Sequence, residues 1–125
     1  MITITKVDGS TAEYAQYRVS GDKADFIGPD ASDAHSDLVS VKSIAPKRGN
    51  GQYGNRRSTL SIIRGTSVLD LEGQSVVRDR KFAVETSIPV GTTEEDLLED
   101  AYNLGSLLQN ATFVKKLIGQ GIIEH

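Results

Sequence analysis

The sequence predicts an α+β fold: an N-terminal β-hairpin and an antiparallel sheet, followed by two C-terminal helices. Residues 2–88 consist of short runs of alternating polarity divided by Gly, Asp and Pro turn signals. Residues 92–118 instead carry apolar side chains at helical spacing. The whole chain is 125 residues, one domain's worth. Within that single domain, 1–20 reads as the hairpin, 22–88 as the sheet and 92–123 as the two helices.

The hairpin comes first. Ile2 and Ile4 alternate with Thr3 and Thr5, and Val7-Asp8-Gly9-Ser10 turns the chain into Thr11–Val19. Gly21-Asp22 and Gly28-Pro29-Asp30 bracket a short strand at Ala24–Ile27, and Ala31–Asp37 is polar loop. Leu38–Ala45 sets Val39 and Val41 against Ser40 and Lys42, the pattern of a half-buried strand. A turn-rich connection covers Pro46–Asn55. Arg56–Arg64 then alternates Ser58, Leu60 and Ile62 with Arg57, Thr59 and Ser61, and Ile63 interrupts the polar side. Gly65–Gln74 reads as a loop. Val76–Ile88 is the longest strand, with Phe82, Val84 and Ile88 on one face and Lys81, Ala83, Glu85 and Ser87 on the other. Pro89 cannot donate to a ladder and ends it.

Thr92 or Thr93 caps the first helix, and Glu94, Glu95 and Asp96 suit the positive end of its dipole. Leu97, Ala101, Leu104 and Leu108 form an apolar stripe flanked by Leu98 and Leu107. Asn110 stops this helix. Ala111–Ile118 makes a second, with Gly119 as its C-cap.

Composition removes several functional classes. Apolar residues make up 38% of the chain and charged residues 25%, which argues against disorder. No run approaches a spanning helix, so no membrane partner is expected, and Met1-Ile2-Thr3-Ile4 does not open a signal peptide. With no cysteine and two histidines, neither a disulfide scaffold nor a thiolate or imidazole metal site is expected, and no cofactor.

The net charge is −3, but its distribution is uneven. Residues 1–37 sum to −4, residues 38–81 to +6 and residues 82–125 to −5. The middle block holds Lys42, Lys47, Arg48, Arg56, Arg57, Arg64, Arg78, Arg80 and Lys81. A chain with this layout can present one cationic face to a polyanion while staying acidic overall.

No catalytic constellation is present. Gly49-Asn50-Gly51-Gln52-Tyr53-Gly54 spells G-x-G-x-x-G, but a strand pattern follows where the dinucleotide fingerprint needs a helix. The acids Glu94, Glu95, Asp96, Glu99 and Asp100 lie in the first turns of a helix, where acids are ordinary. His35 falls in a polar loop, and Asn110-Ala111-Thr112 is a sequon at a helix boundary. What stands out is a wet, basic face on three consecutive strands: Ser40 and Lys42; Arg57, Thr59 and Ser61; Lys81, Glu85 and Ser87. Lys and Arg there supply charge for phosphates, and Ser and Thr supply hydrogen bonds.

The stretch Lys81-Phe82-Ala83-Val84-Glu85-Thr86-Ser87-Ile88-Pro89-Val90-Gly91-Thr92-Thr93, then an acid-capped Leu-rich helix, a short helix and Gly121-Ile122-Ile123, resembles the coat proteins of single-stranded RNA bacteriophages, the leviviruses. The layout upstream is similar too. This resemblance implies an intertwined homodimer with one continuous sheet, each subunit's helices packing over its partner. It implies an icosahedral shell, with the hairpin 1–20 outside and the loop Gly65–Gln74 gathered around symmetry axes. The free face of the sheet would then bind single-stranded genomic RNA inside the shell, including a hairpin whose binding represses replicase translation. Ser40, Lys42, Arg57, Thr59, Ser61, Lys81, Glu85 and Ser87 are the RNA-binding residues on this reading. The protein would be located in the virion and assembled in the bacterial host cytoplasm.

One feature departs from the family. Its members place a tyrosine on the last strand to stack a hairpin base, and the count from Pro89 puts Lys81 there, with Ala83 next; Tyr53 and Tyr102 fall off the sheet face. Phosphate-dominated binding is therefore expected over base-specific recognition of that kind. The leading expectation is a structural capsid protein and not an enzyme. A dimeric cellular RNA-binding regulator that forms no particles is the alternative, and a small enzyme using the helix acids comes third.

Overall fold

The computed structural model describes residues 1–46 and 54–122. Six strands, β1 (Ile2–Thr5), β2 (Thr11–Ser20), β3 (Lys23–Ile27), β4 (Asp37–Ile44), β5 (Asn55–Leu69) and β6 (Ser75–Pro89), follow one another in sequence and in space. Every neighbouring pair is antiparallel. The sheet is thus a simple meander, the topology expected when short turns join consecutive strands. The G-x-G-x-x-G stretch lies between β4 and β5, two antiparallel neighbours, and its residues 49–53 are outside the described part, as are Lys47 and Arg48.

β2 serves two partners. Thr11–Tyr14 pairs with β1, and Ala15–Ser20 pairs with β3. The hairpin β1–β2 contributes Ala12 and Tyr14 to a small core with Val39, against which Ile2, Ile4, Phe26 and Val41 pack. A polar knot closes this end of the sheet. Tyr14 donates its hydroxyl to Asp37 Oδ1 at 2.5 Å, and the Asp30 amide donates to Asp37 Oδ2 at 3.1 Å. Arg64 reaches Asp37 Oδ1 at 3.6 Å and Asp30 Oδ2 at 3.0 Å. The Asp37 side chain is almost wholly buried, so these partners are what allow a carboxylate there. Burial, and then the Asp37 carboxylate, push the Tyr14 phenol up to about 12. Only glycine fits at position 28, because a Cβ would sit 2.4 Å from Asp37 Oδ2 and 2.5 Å from Tyr14 Cε2.

Half of the loop expected over Gly65–Gln74 is strand. Thr66, Ser67, Val68 and Leu69 pair with Arg78, Val77, Val76 and Ser75, so β5 and β6 form a hairpin that extends past β4, whose pairing stops at Arg64. Only Asp70–Gln74 turns. Asp70 Oδ1 accepts from the amides of Glu72 at 2.9 Å and Gln74 at 2.8 Å, and Gly73 takes a positive φ of 80°. The side chain of Asp70 thereby replaces ladder partners that a five-residue tip cannot supply.

The C-terminal part forms a separate compact unit beginning at Gly91. Helix α1 spans Glu94–Gln109, with Thr93 as N-cap accepting from the Asp96 amide at 3.3 Å. Asn110 ends α1 and caps α2 (Ala111–Phe113), its Oδ1 accepting from the Phe113 amide at 3.2 Å. The chain continues into a π-helical stretch, Val114–Gly119. Gly121, at φ 70°, takes the left-handed position expected of Gly119, and its amide donates to the Leu117 carbonyl at 3.0 Å. Neither helix nor the π-helical stretch buries a residue, and Leu97, Leu104, Leu108 and Leu117 stay exposed. No helix among the described residues is long and apolar enough to cross a membrane.

Candidate nucleic-acid interface

Strand register decides which side chains share a face, because alternate residues of a strand point to opposite sides. The β4–β5 and β5–β6 pairings give rows Ser40–Ser61–Ala83, Lys42–Thr59–Glu85 and Ile44–Arg57–Ser87 on one side of the sheet. Lys81 stands on the same side, at the end of the row Ile27–Leu38–Ile63–Lys81. All eight residues singled out from the sequence therefore lie on a single face. The opposite face carries Phe26, Val39, Val41, Leu60, Ile62, Phe82 and Val84, and towards its ends Arg56, Arg64, Arg78 and Arg80.

The eight are not equivalent. Lys42, Arg57, Lys81 and Glu85 are exposed. Ser40 and Ser61 are only 9% and 6% exposed, so they form the floor of this face. Ser87 Oγ accepts from Asn55 Nδ2 at 2.9 Å, which ties β5 to β6 on this side. Glu85 repels phosphate, although a carboxylate there can accept from a base amino group. The isoleucines and Leu38 make one apolar row across the polar face, wider than the interruption by Ile63 alone that the sequence suggests.

Register also brings in residues that strand-by-strand counting omits. Lys23 pairs with Lys42, and Asp25 pairs with Ser40 and with Arg18. Across these rows five cations, Arg18, Lys23, Lys42, Arg57 and Lys81, stand against two acids, Asp25 and Glu85. Lys23 and Arg18 belong to the acidic first third of the sequence, so charge by block hides them. Their strand spacing of about 4.8 Å puts β2 to β6 on a platform about 19 Å wide. Asp25 Oδ1 is buried without a hydrogen bond and has the Lys23 ammonium at 4.0 Å. Tyr102 lies on α1, Tyr53 outside the described residues, and no described residue of β6 is aromatic except Phe82 on the opposite face.

The described residues contain no group of three or more His, Asp or Glu side chains able to hold a metal ion. Glu94, Glu95 and Asp96 occupy the first turn of α1, with the Asp96 amide held by the Thr93 cap. His35 is exposed in the β3–β4 connection. The chemistry available on the sheet is ionic and hydrogen-bonding contact over a broad surface.

The sequence matches no family model and no curated protein. Solved structures do match. The chain is similar to a subunit of the virus-like particle of Beihai levi-like virus 32, at 23% identity and a TM-score of 0.78, over 90% of this chain and 88% of that one. It is similar to that of Wenzhou levi-like virus 4, at 22% identity and a TM-score of 0.79, over 98% and 83% of the two chains. With bacteriophage AVE019 the identity is 18% and the TM-score 0.77, over 99% and 96%. Six antiparallel strands followed by a long and a short helix, matching 83–96% of the length of these particle subunits, are the levivirus coat-protein fold.

Proposed function

We propose that the protein is a structural capsid subunit of a single-stranded RNA phage, which dimerises, closes into an icosahedral shell and holds genomic RNA against the polar face of its sheet. The observation that carries this reading is the conjunction of a particle-subunit fold over nearly the whole chain with a cationic face built by five strands. Binding of an RNA hairpin that represses replicase translation, a virion location and assembly in the host cytoplasm belong to the same reading through the resemblance.

Association is supported by exposed apolar side chains. Leu60 and Phe82 on the β4–β6 side opposite Lys42, the leucines of α1, and a groove of about 580 Å³ lined by Val19, Ala24, Val41, Leu60 and Val84 are open to solvent. β6 is an edge strand 15 residues long, and a two-fold partner pairing along it would remove that edge.

Protein expressed alone, sized by sedimentation and imaged by electron microscopy, tests the proposal. Closed particles whose ultraviolet absorbance reveals nucleic acid are expected. Small RNA-bound dimers without particles would support a non-assembling regulator instead, and a stable folded monomer on dilution would contradict both.

A further inference from the structure

The ladder between β2 and β3 contains a bulge. Gln16 pairs with Phe26, but Arg18, not Tyr17, pairs with Asp25. Alternation from Gln16, which shares the apolar side with Phe26, sends Tyr17 to the polar side. The register then sends Arg18 to that side as well, with Asp25. Two consecutive side chains on one face is the consequence of setting two residues against one. The side chains agree with this placement: the Arg18 guanidinium carbon lies 5.4 Å from the centre of the Tyr17 ring, and Tyr17 is 58% exposed. A regular strand would have put Arg18 on the apolar side.

The neighbouring row adds a second anomaly. Lys23 and Lys42 are direct cross-strand partners on the same face. Like charges so placed repel, and Asp25, at 4.0 Å from the Lys23 ammonium, relieves this only in part. A phosphate between the two ammonium groups would remove the repulsion. Two residues along a strand is about 7 Å, so the lysine pair lies one row from Arg18 and about 10 Å along the strand from Tyr17. An aromatic face with a guanidinium beside it and a paired cationic site one row beyond the guanidinium matches a nucleotide unit, because every base offers a π-face and every link a phosphate.

Resting on the RNA-binding reading above, we propose that Tyr17 is a stacking platform for an unpaired base of single-stranded RNA, with Arg18 flanking it and Lys23 and Lys42 holding the adjoining phosphate. The test uses purified, unassembled protein and two probes, a short oligouridylate and a ribose-phosphate oligomer of equal length lacking bases. Tyr17→Ala weakens oligouridylate binding roughly 5- to 150-fold, as loss of one base stack does, and leaves its salt slope unchanged. Tyr17→Phe binds as the unaltered protein does. Neither variant alters binding of the abasic oligomer, whereas Lys23→Ala lowers the salt slope for both probes by about 0.7. Ultraviolet cross-linking of oligouridylate to the peptide containing Tyr17 gives the same answer without any substitution.

Equal oligouridylate affinity for Tyr17→Ala and the unaltered protein, with no cross-link, overturns the stacking site while leaving the phosphate contacts intact. Failure of the unaltered protein to bind either probe at any salt overturns the RNA reading itself. Loss of particle assembly in Tyr17→Ala with oligouridylate affinity retained assigns Tyr17 to a contact between subunits and overturns the proposal.

Discussion

Replacing Lys42 and Arg57 by alanine, singly and together, asks whether phosphates meet the polar side of the sheet. Five exposed cations stand there. Each one that neutralises a phosphate of a single strand contributes about 0.7 to the slope of log affinity against log salt. If all five engage, the slope is about 3.5, and a fourfold rise in salt weakens binding about 100-fold. Lys42→Ala brings the slope to about 2.8 and the same salt step to about 50-fold; adding Arg57→Ala brings these to about 2.1 and about 20-fold. Anisotropy of a labelled oligouridylate, titrated with protein at several salt concentrations, measures the slope directly. Arg56 and Arg78 supply the control, since they pair with Ile88 and Thr66 on the other side of the sheet. Their alanine variants keep the full slope. Equal losses from both sets would refute the assignment of RNA to one face, and so would a slope that no substitution changes.

Further outcomes follow from the core and the apolar surfaces. Asp37→Ala strands the Tyr14 hydroxyl and removes one of the two carboxylate partners of Arg64, costing about 2–3 kcal/mol in denaturant unfolding; Gly28→Ala lowers stability by about 1–3 kcal/mol through its overlap with Asp37 and Tyr14. The Tyr14 proton is held more tightly when folded, its value rising from 10.0 to about 12. Its contribution is therefore complete below pH 10 and lost as pH climbs through 12, so the stability gap between the unaltered protein and Tyr14→Phe closes over that window. A gap that stays constant there would count against the buried hydrogen bond. Leu60→Asp puts a charge among the exposed apolar side chains of the sheet and, on the proposed association, shifts the protein to smaller or unfolded species in sedimentation, whereas Asp33→Ala in the exposed β3–β4 connection leaves its sedimentation unchanged.

Much of the fold was legible because strand and helix periods differ. Ser40 and Lys42, Thr59 and Ser61, and Lys81 and Glu85 alternate with apolar residues, and the observed registers then align them on one face. The extent of β5 and β6 was not legible, because Gly65, Asp70 and Gly73 carry loop signals, and only cross-strand pairing of Val68 with Val76 overrides them. Tyr17 and Arg18 escaped notice because alternation has no means of announcing a bulge. Asp37 reads as the end of a polar loop, yet it is buried; its partners Tyr14 and Arg64 come from distant strands, so the sequence around it holds no sign of them. The π-helical winding after Phe113 likewise displaced the terminal glycine by two positions from where regular helical counting put it.

The central claim concerns direction: the cationic rows face nucleic acid. A cryo-electron-microscopy map of particles formed by the unaltered protein tests it most directly. The expected result is a closed shell with Lys23, Lys42 and Arg57 turned inward against RNA density. Particles in which those side chains point outward, or are buried between subunits away from any RNA density, would contradict it.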